Sequence, residues 1–451
     1  MTKGLNLLIT NSQEDQSYLV VRSLRAEASK IILGLHGDSI ARRWSALAPW
    51  SRHIDRRYRL PDPGKDWWAG LIQPANTAVE EHYICRVEQI CALEDITAIF
   101  PSFEPDIYVL AKNKPRLAKL GVVVIGPDYE ALMIPLSKEL TLRAAQRAGF
   151  PAPRTWSPAG LTELEEIIAT TDPPWVIKPR FGAHAEGVRV VRQASSLRRL
   201  FAQVSLRQER PLVQEYIAGT GKQNYYLTVD RNFQILSLLT PEVLRTRRRG
   251  VTDHSSAVIS SSTGPCLDEL HQLVRNLEYW GCMTIQTKID PSDGLPRFME
   301  INPRVGDHLW FRTELGVNEP LIYLRLALDQ PLPEIYPYPD GVLLLDPIDD
   351  VRNLVESMAV AALQRLREIF SPARAAPDET YRDPPGALLK DILGNYSRGK
   401  RKVMAPYVRH IFDDPLPCGL RNVKVLAGLL RGLLGWVGGL IFPWRGRRDA
   451  V

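Results

Sequence analysis

Three oxygen-bearing side chains near position 300, with a guanidinium directly behind them, are the residues of this chain best placed to do chemistry. Glu300 and Asn302 stand two apart in the run Arg297 to Arg304, so on a strand they project from one face. An apolar stretch, Cys282 to Ile289, and the turn residues Pro291, Ser292, Asp293 and Gly294 precede them. That pattern predicts a β-hairpin, which folds Gln286 back to the same level. A carboxylate and two amides suit Mg²⁺ (or Mn²⁺), a hard cation that keeps bound waters and substrate phosphates. Arg304 could grip a phosphate or carboxylate with paired N–H donors beside it. The same three groups on a hairpin are also ordinary surface chemistry, so the rest of the chain has to decide.

A second set lies upstream. The apolar run Trp175 to Ile177 ends in Lys178, Pro179 and Arg180 and passes into Phe181, Gly182, Ala183, His184, Ala185, Glu186 and Gly187. This predicts a strand and then a glycine-containing loop, whose backbone N–H groups can meet phosphate oxygens while the lysine supplies a point charge. The spacing is not that of a P-loop, and no GxGxxG follows the first strand. Ser137 is predicted to cap a helix carrying Lys138 in its first turn and ending before Gly149, Phe150 and Pro151. A first-turn lysine is more often solvated than a ligand.

The elements that must position these groups begin with alternating strands and helices. Leu5 to Thr10, Lys30 to Leu35, Ile96 to Phe100 and Val122 to Ile125 are predicted strands; Gln16 to Ala28 and about Pro105 to Leu120 are predicted helices. That alternation predicts a parallel, Rossmann-like sheet. From Pro174 to Asp230 the pattern reads strand, loop, helix, strand and a further strand.

The order Lys138, Lys178 with its loop, Gln214 to Ile217, Gln286, then Met299 to Arg304 resembles the ATP-grasp superfamily, on its carbamoyl phosphate synthase-like, carboxylate–amine ligase branch. The resemblance covers roughly positions 1 to 330. It implies a mixed α/β and α+β chain: a Rossmann-like pre-ATP-grasp domain over 1–126, a two-lobed ATP-grasp domain over 127–330 with a lid at about 150–230 and the metal hairpin at 282–304, and a mostly helical region over 331–451. It implies that Lys138 and Lys178 hold the phosphates of ATP beneath the loop from Gly182 through His184 to Gly187. Gln214, Glu215, Tyr216 and Ile217 would meet the adenine, and Gln286, Glu300 and Asn302 would hold the metal. Arg304, with Lys178, would face the transferring phosphoryl group. The implied reaction activates a small carboxylate as an acyl phosphate for capture by an amine or ammonia.

Three departures stand out. Gln286 replaces the commoner Glu, although carbamoyl phosphate synthases resemble this chain there. Ala183, His184 and Ala185 occupy a loop usually richer in Gly and Ser. Gly219 to Asn224 lacks the acid expected at the ribose, a place that Gln223 or Asn224 could take. These departures keep open a second class of function, a non-catalytic ATP-binding sensor or scaffold. No Ser/His/Asp or Cys/His set, no GxSxG and no HExxH is visible.

The chain has 451 residues, 45% hydrophobic and 24% charged, which predicts a globular protein of two or three domains. Five scattered cysteines without metal-ligand spacing read as reduced. Met1 to Thr10 is too short an apolar stretch for a secretory signal, so the expectation is cytoplasmic. Arg245 to Gly250 is a basic run that reads either as solvated surface or as a recruiter of acidic substrate at the cleft mouth. Residues 425–442 carry one charge, Arg431, between basic flanks reaching Arg448. Their apolar stripe favours a peripheral helix on an anionic membrane surface, at the inner face, over a span or internal packing. The net charge of +6 fits that surface or an acidic substrate. With no recognised module, nucleic acid is not expected as a partner.

Overall fold

The computed structural model describes residues 4–10, 15–36, 47–64, 72–182, 187–208, 210–218, 221–247, 254–306, 308–370, 385–397, 399, 401–405 and 412–420. Its first sheet is parallel and five-stranded: β1 (Asn6–Ile9), β2 (Lys30–His36), β3 (Arg56–Leu60), β4 (Ala98–Phe100) and β5 (Val123–Val124), in the order β3-β2-β1-β4-β5. β1, β2 and β4 are almost wholly apolar and buried, as a sheet covered on both faces requires. β3, with the sequence RRYRL, is an edge strand and mostly exposed. The helix Ala78–Glu94 packs nearby and begins with a reciprocal cap between Thr77 and Glu80. Where one helix was expected over 105–120, the chain forms Glu104–Lys112 and Lys114–Ala118. Pro115, which has no N–H to continue the first helix, follows the break.

The next four strands, β6 (Thr155–Trp156), β7 (Trp175–Lys178), β8 (Arg189–Val191) and β9 (Leu212–Glu215), form an antiparallel sheet in the order β6-β9-β7-β8. Leu164, Trp175, Leu197, Phe201 and Val213 give it a small core of its own. β10 (Asn224–Val229) and β11 (Ile235–Leu239) follow, then β12 (Glu242–Arg247) and β13 (His254–Ile259), then the hairpin β14 (Gly281–Ile289) and β15 (Pro296–Asn302). β10 was grouped with the lid on sequence, but it pairs with β14 in the sheet β11-β10-β14-β15. A large core joins that sheet to the parallel one, running from Leu8 and Ile99 through Leu132 to Tyr225, Ile285 and Phe298.

These parts form one compact unit, residues 1–243 and 259–341; residues 244–258 and 342–451 form the other. The second unit holds the sheet β12-β13-β16-β17, with β16 at Leu343–Leu345 and β17 at Lys402–Met404, and the helices Pro347–Phe370 and Pro385–Ser397. Arg245 is buried there. Its Nε and Nη2 donate to the two oxygens of Asp350 at 3.0 and 2.8 Å, and its Nη1 donates to Asp391 at 2.7 Å. The expectation that this arginine waits at a cleft mouth is corrected, because two carboxylates already neutralise it. All five cysteines are free. Residues 248–250 and the 425–442 segment lie outside the described residues. Among the described residues no helix is long and apolar enough to cross a membrane.

Candidate functional site

The hairpin's register sets the first half of the site. Asn224, Gln286 and Glu300 are cross-strand partners in one row; Tyr226, Thr284 and Asn302 form the next row on the same face. A β-bulge lies beside the first row, because Gln286 pairs with Glu300 while Thr287 pairs with Phe298, leaving Met299 extra. Such bulges re-aim neighbouring side chains. The three predicted metal ligands therefore share a face, and the same rows hold two buried oxygens with no hydrogen-bond partner among the described residues, Asn224 Oδ1 and Thr284 Oγ1. An oxygen-rich set with unmet acceptors fits a hard divalent cation and its waters.

The second half comes from Lys138 and Lys178. Ser137 caps the helix Lys138–Arg147 by accepting from the Leu140 N–H, which places Lys138 at the first helical position. The Lys138 N–H donates to the Arg180 carbonyl at 2.9 Å, and Arg180 pairs with Glu139 at 2.6 Å. The helix start is thus tied to the strand end that bears Lys178. Lys138 Nζ donates to the Gly182 carbonyl at 2.6 Å, and Lys178 Nζ donates to Gln214 Oε1 at 3.0 Å. Neither ammonium has an ion-pair partner among the described residues. Burial, followed by repulsion from Lys138, pulls Lys178 down to about 8, with Glu300 opposing. Burial also lowers Lys138, against the pull of Glu300 and Glu104.

The residues flanking positions 183–186 are positive-φ glycines, Gly182 at +129° and Gly187 at +78°. A Cβ on Gly187 would also stand 3.2 Å from Pro179. Gln208 fixes the loop's base through paired hydrogen bonds with the Phe181 backbone, both 3.0 Å. His184 lies outside the described residues.

The segment expected at the adenine is held by its side chains. Gln214 Nε2 donates to Thr155 Oγ1 at 2.6 Å, and Glu215 accepts from the Arg154 N–H and Nε at 2.8 and 2.9 Å. Lys288 Nζ donates to the Ile217 carbonyl at 2.6 Å and lies 4.8 Å from the centre of the Tyr216 ring.

Arg304 comes last. Its Nε donates to Glu104 Oε1 at 2.7 Å, reaching the head of the helix after β4. A pocket lined by Glu104, Lys138, Thr141, Gly182, Glu300 and Asn302 gathers both halves of the site. The structure thus brings Lys138, Gly182, Glu300 and Asn302 together, with Lys178 within electrostatic reach of Lys138 and Glu300. Glu104 and Lys288 were not anticipated. The one available signal for Glu104 was its place just past a strand of the parallel sheet.

The sequence pattern of the ATP-grasp domain matches residues 136–307. Residues 136–307 form an ATP-grasp domain. The match takes in both lysines, the loop glycines, the hairpin and Arg304. The carbamoyl phosphate synthase large chain of Methanothrix thermoacetophila is 24% identical over 204 residues, covering 42% of this chain but only 18% of the synthase chain. The likeness is therefore to one segment of a much longer protein. A biotin carboxylase from Campylobacter jejuni, solved with a β,γ-ATP analogue, superposes with a TM-score of 0.57 at 16% identity, over 73% of this chain and 72% of that one. The biotin carboxylase domain of a 2-oxoglutarate carboxylase from Hydrogenobacter thermophilus, solved with MgADP and bicarbonate, gives 0.55 at 16%, over 74% and 72%. These structures share the mixed α/β fold with this chain.

Proposed function

We propose that the protein is an ATP-dependent, ADP-forming ligase that activates a small carboxylate as an acyl phosphate for attack by an amine or ammonia. One observation carries the reading: two ammonium groups, Lys178 buried and Lys138 half-buried, that have no ion-pair partner among the described residues and donate to neutral oxygens, beside a pocket that also holds Glu300 and Asn302. Uncompensated buried cations are costly unless an anion arrives. Triphosphate is such an anion. The curated relative, a carbamoyl phosphate synthase chain, supports the same class.

Lys138 and Lys178 would hold phosphate oxygens, with the Gly182 to Gly187 loop above them and the segment from Gln214 to Ile217 at the base. Gln286, Glu300 and Asn302 would hold Mg²⁺, with Asn224 Oδ1 and Thr284 Oγ1 able to accept from its waters. When bound, the cation neutralises charge on the phosphates. Phosphoryl transfer is catalysed mainly by positioning and charge neutralisation, and Lys178 and Arg304 would supply both. Attachment of residues 425–448 to an anionic membrane surface rests on sequence alone.

The test is ADP and phosphate release by purified protein with Mg²⁺ against amino acids, peptides, bicarbonate and sugar acids, each with and without an amine. The expected result is stimulation by one acid and amine pair, lost in Glu300→Ala. ATP bound in equilibrium dialysis with no stimulation by any pair would instead give a sensor or scaffold.

A further inference from the structure

The carboxylate of Glu104 is only half engaged. Glu104 opens the helix Glu104–Lys112, just past the carboxyl end of β4. The order β3-β2-β1-β4-β5 changes direction between β1 and β4, and open parallel sheets present ligands at the strand ends of that point. Glu104 is 3% exposed; Oε1 accepts from Arg304 Nε at 2.7 Å, while Oε2 is buried with no hydrogen-bond donor among the described residues. A buried carboxylate oxygen left bare is expensive. The nearby lysines are engaged elsewhere, Lys138 Nζ by the Gly182 carbonyl and Lys178 Nζ by Gln214. Two residues before Glu104, Ser102 Oγ is likewise buried without a partner among the described residues.

We infer that Glu104 Oε2 seats the nucleophile: a primary amine or ammonia arrives as its ammonium, whose N–H groups meet the bare carboxylate oxygen beside Arg304, and it passes one proton to Oε2 so that the freed lone pair attacks the acyl carbon while phosphate leaves with the bonding electrons. The inference rests on the ligase reading and names the charge and donor class of its second substrate. Geometry selects the class. The oxygen needs a donor, and a carboxylate prefers a cationic one. The pocket it lines also contains Glu300 and Asn302, so the amine would stand next to the groups assigned to the phosphoryl end. An acidic nucleophile would meet Glu104 and Glu300 as like charges.

The test uses the full chain with saturating MgATP and a panel of the proteinogenic amino acids, bicarbonate and acetate as carboxylates. Hydroxylamine, a neutral nucleophile at assay pH, traps acyl phosphate as hydroxamate. Ammonium chloride and methylamine supply the charged amines. In Glu104→Gln, an amide oxygen still faces Arg304 while an N–H donor replaces Oε2. The expected result is a KM for both amines raised about tenfold or more, the loss of one charge-assisted hydrogen bond, and a matching fall in the ratio of amine product to hydroxamate. An unchanged amine KM overturns the inference. So does an equal fall in both products, which would make Glu104 only the positioning partner of Arg304, or a raised Mg²⁺ requirement instead of an amine effect, which would give Oε2 to the cation. The wild-type protein offers a check independent of the variant: tetramethylammonium, which has no N–H, should not compete with methylamine, and equal competition sinks the idea. If wild type forms no hydroxamate from any carboxylate, the ligase reading itself fails and takes this inference with it.

Discussion

Lys178, at the end of β7, and Arg245, within β12, are both buried cations, one in each compact unit, and their surroundings are opposite. Arg245 has three N–H groups on the carboxylates of Asp350 and Asp391. Lys178 has an amide oxygen, a second lysine for a neighbour, and a titration point pulled down to about 8. A cation paired with carboxylates has its charge met before any ligand arrives, whereas one held by a neutral oxygen, with a carboxylate acting only at longer range, is costly until an anion binds. Burial alone does not distinguish them; the charge of the partner does.

The largest effect that would test this contrast is on turnover. Lys178→Met is expected to lower kcat/KM for ATP on the order of 100- to 1000-fold, the usual consequence of removing one charge that meets a developing oxyanion, as read by ADP release. The same variant should raise the thermal unfolding midpoint of the ligand-free protein, since it removes an uncompensated buried charge. Arg245→Ala should do the reverse. It strands two carboxylates and is expected to cost about 3–5 kcal/mol in the second unit, measured by denaturant unfolding, with ATP affinity within twofold of wild type. An Arg245 variant that binds ATP poorly would erase the distinction.

Proton linkage gives a smaller and more specific signature. Lys178 titrates below its ordinary value, so between about pH 8 and the unfolded value near 10.4 the unfolded chain binds more protons. Stability attributable to this group therefore rises with pH across that window. ATP has the opposite dependence: it favours the protonated lysine, so its affinity should fall above about pH 8, by at most about tenfold per pH unit. Isothermal titration across pH 7 to 9 checks this, and Lys178→Met should flatten the profile. Least of all should come from Arg198→Ala, which removes an exposed pair with Glu165 at 2.6 Å. Its unfolding midpoint should be indistinguishable from wild type.

How much of the site could be read in the sequence follows the range of the interactions that built it. Period-two spacing and a turn with Gly294 located Gln286, Glu300 and Asn302, because a hairpin is a local object. An apolar run ending in a lysine located Lys178 for the same reason. β3 was missed because RRYRL carries no apolar alternation; it is held by pairing with β2 at the sheet edge. The helix Ala78–Glu94 was passed over although Thr77 and Glu80 spell its cap. Glu104 and Arg245 could not have been read locally. The first meets Arg304 across 200 positions, and the second meets its carboxylates across 105 and 146. Whether a charge is neutralised is a property of the tertiary fold.

The second unit is discontinuous in the chain, since β12 and β13 lie mostly within 244–258 while β16 and β17 lie beyond 341. During synthesis, the ribosome delivers β13, which ends at Ile259, before its neighbour β16, which begins at Leu343, and well before β17, which completes the sheet from Lys402. The remainder of the ATP-grasp domain, from Ser260 onward, must pass through the exit tunnel in between, with the free edge of β13 still unpaired and open to association. A protein truncated after Gly341 would keep that exposed pair permanently. An independent ATP-grasp module should therefore be cut twice, with 244–258 replaced by a short turn as well as the tail removed, and the singly cut version should be the one that aggregates.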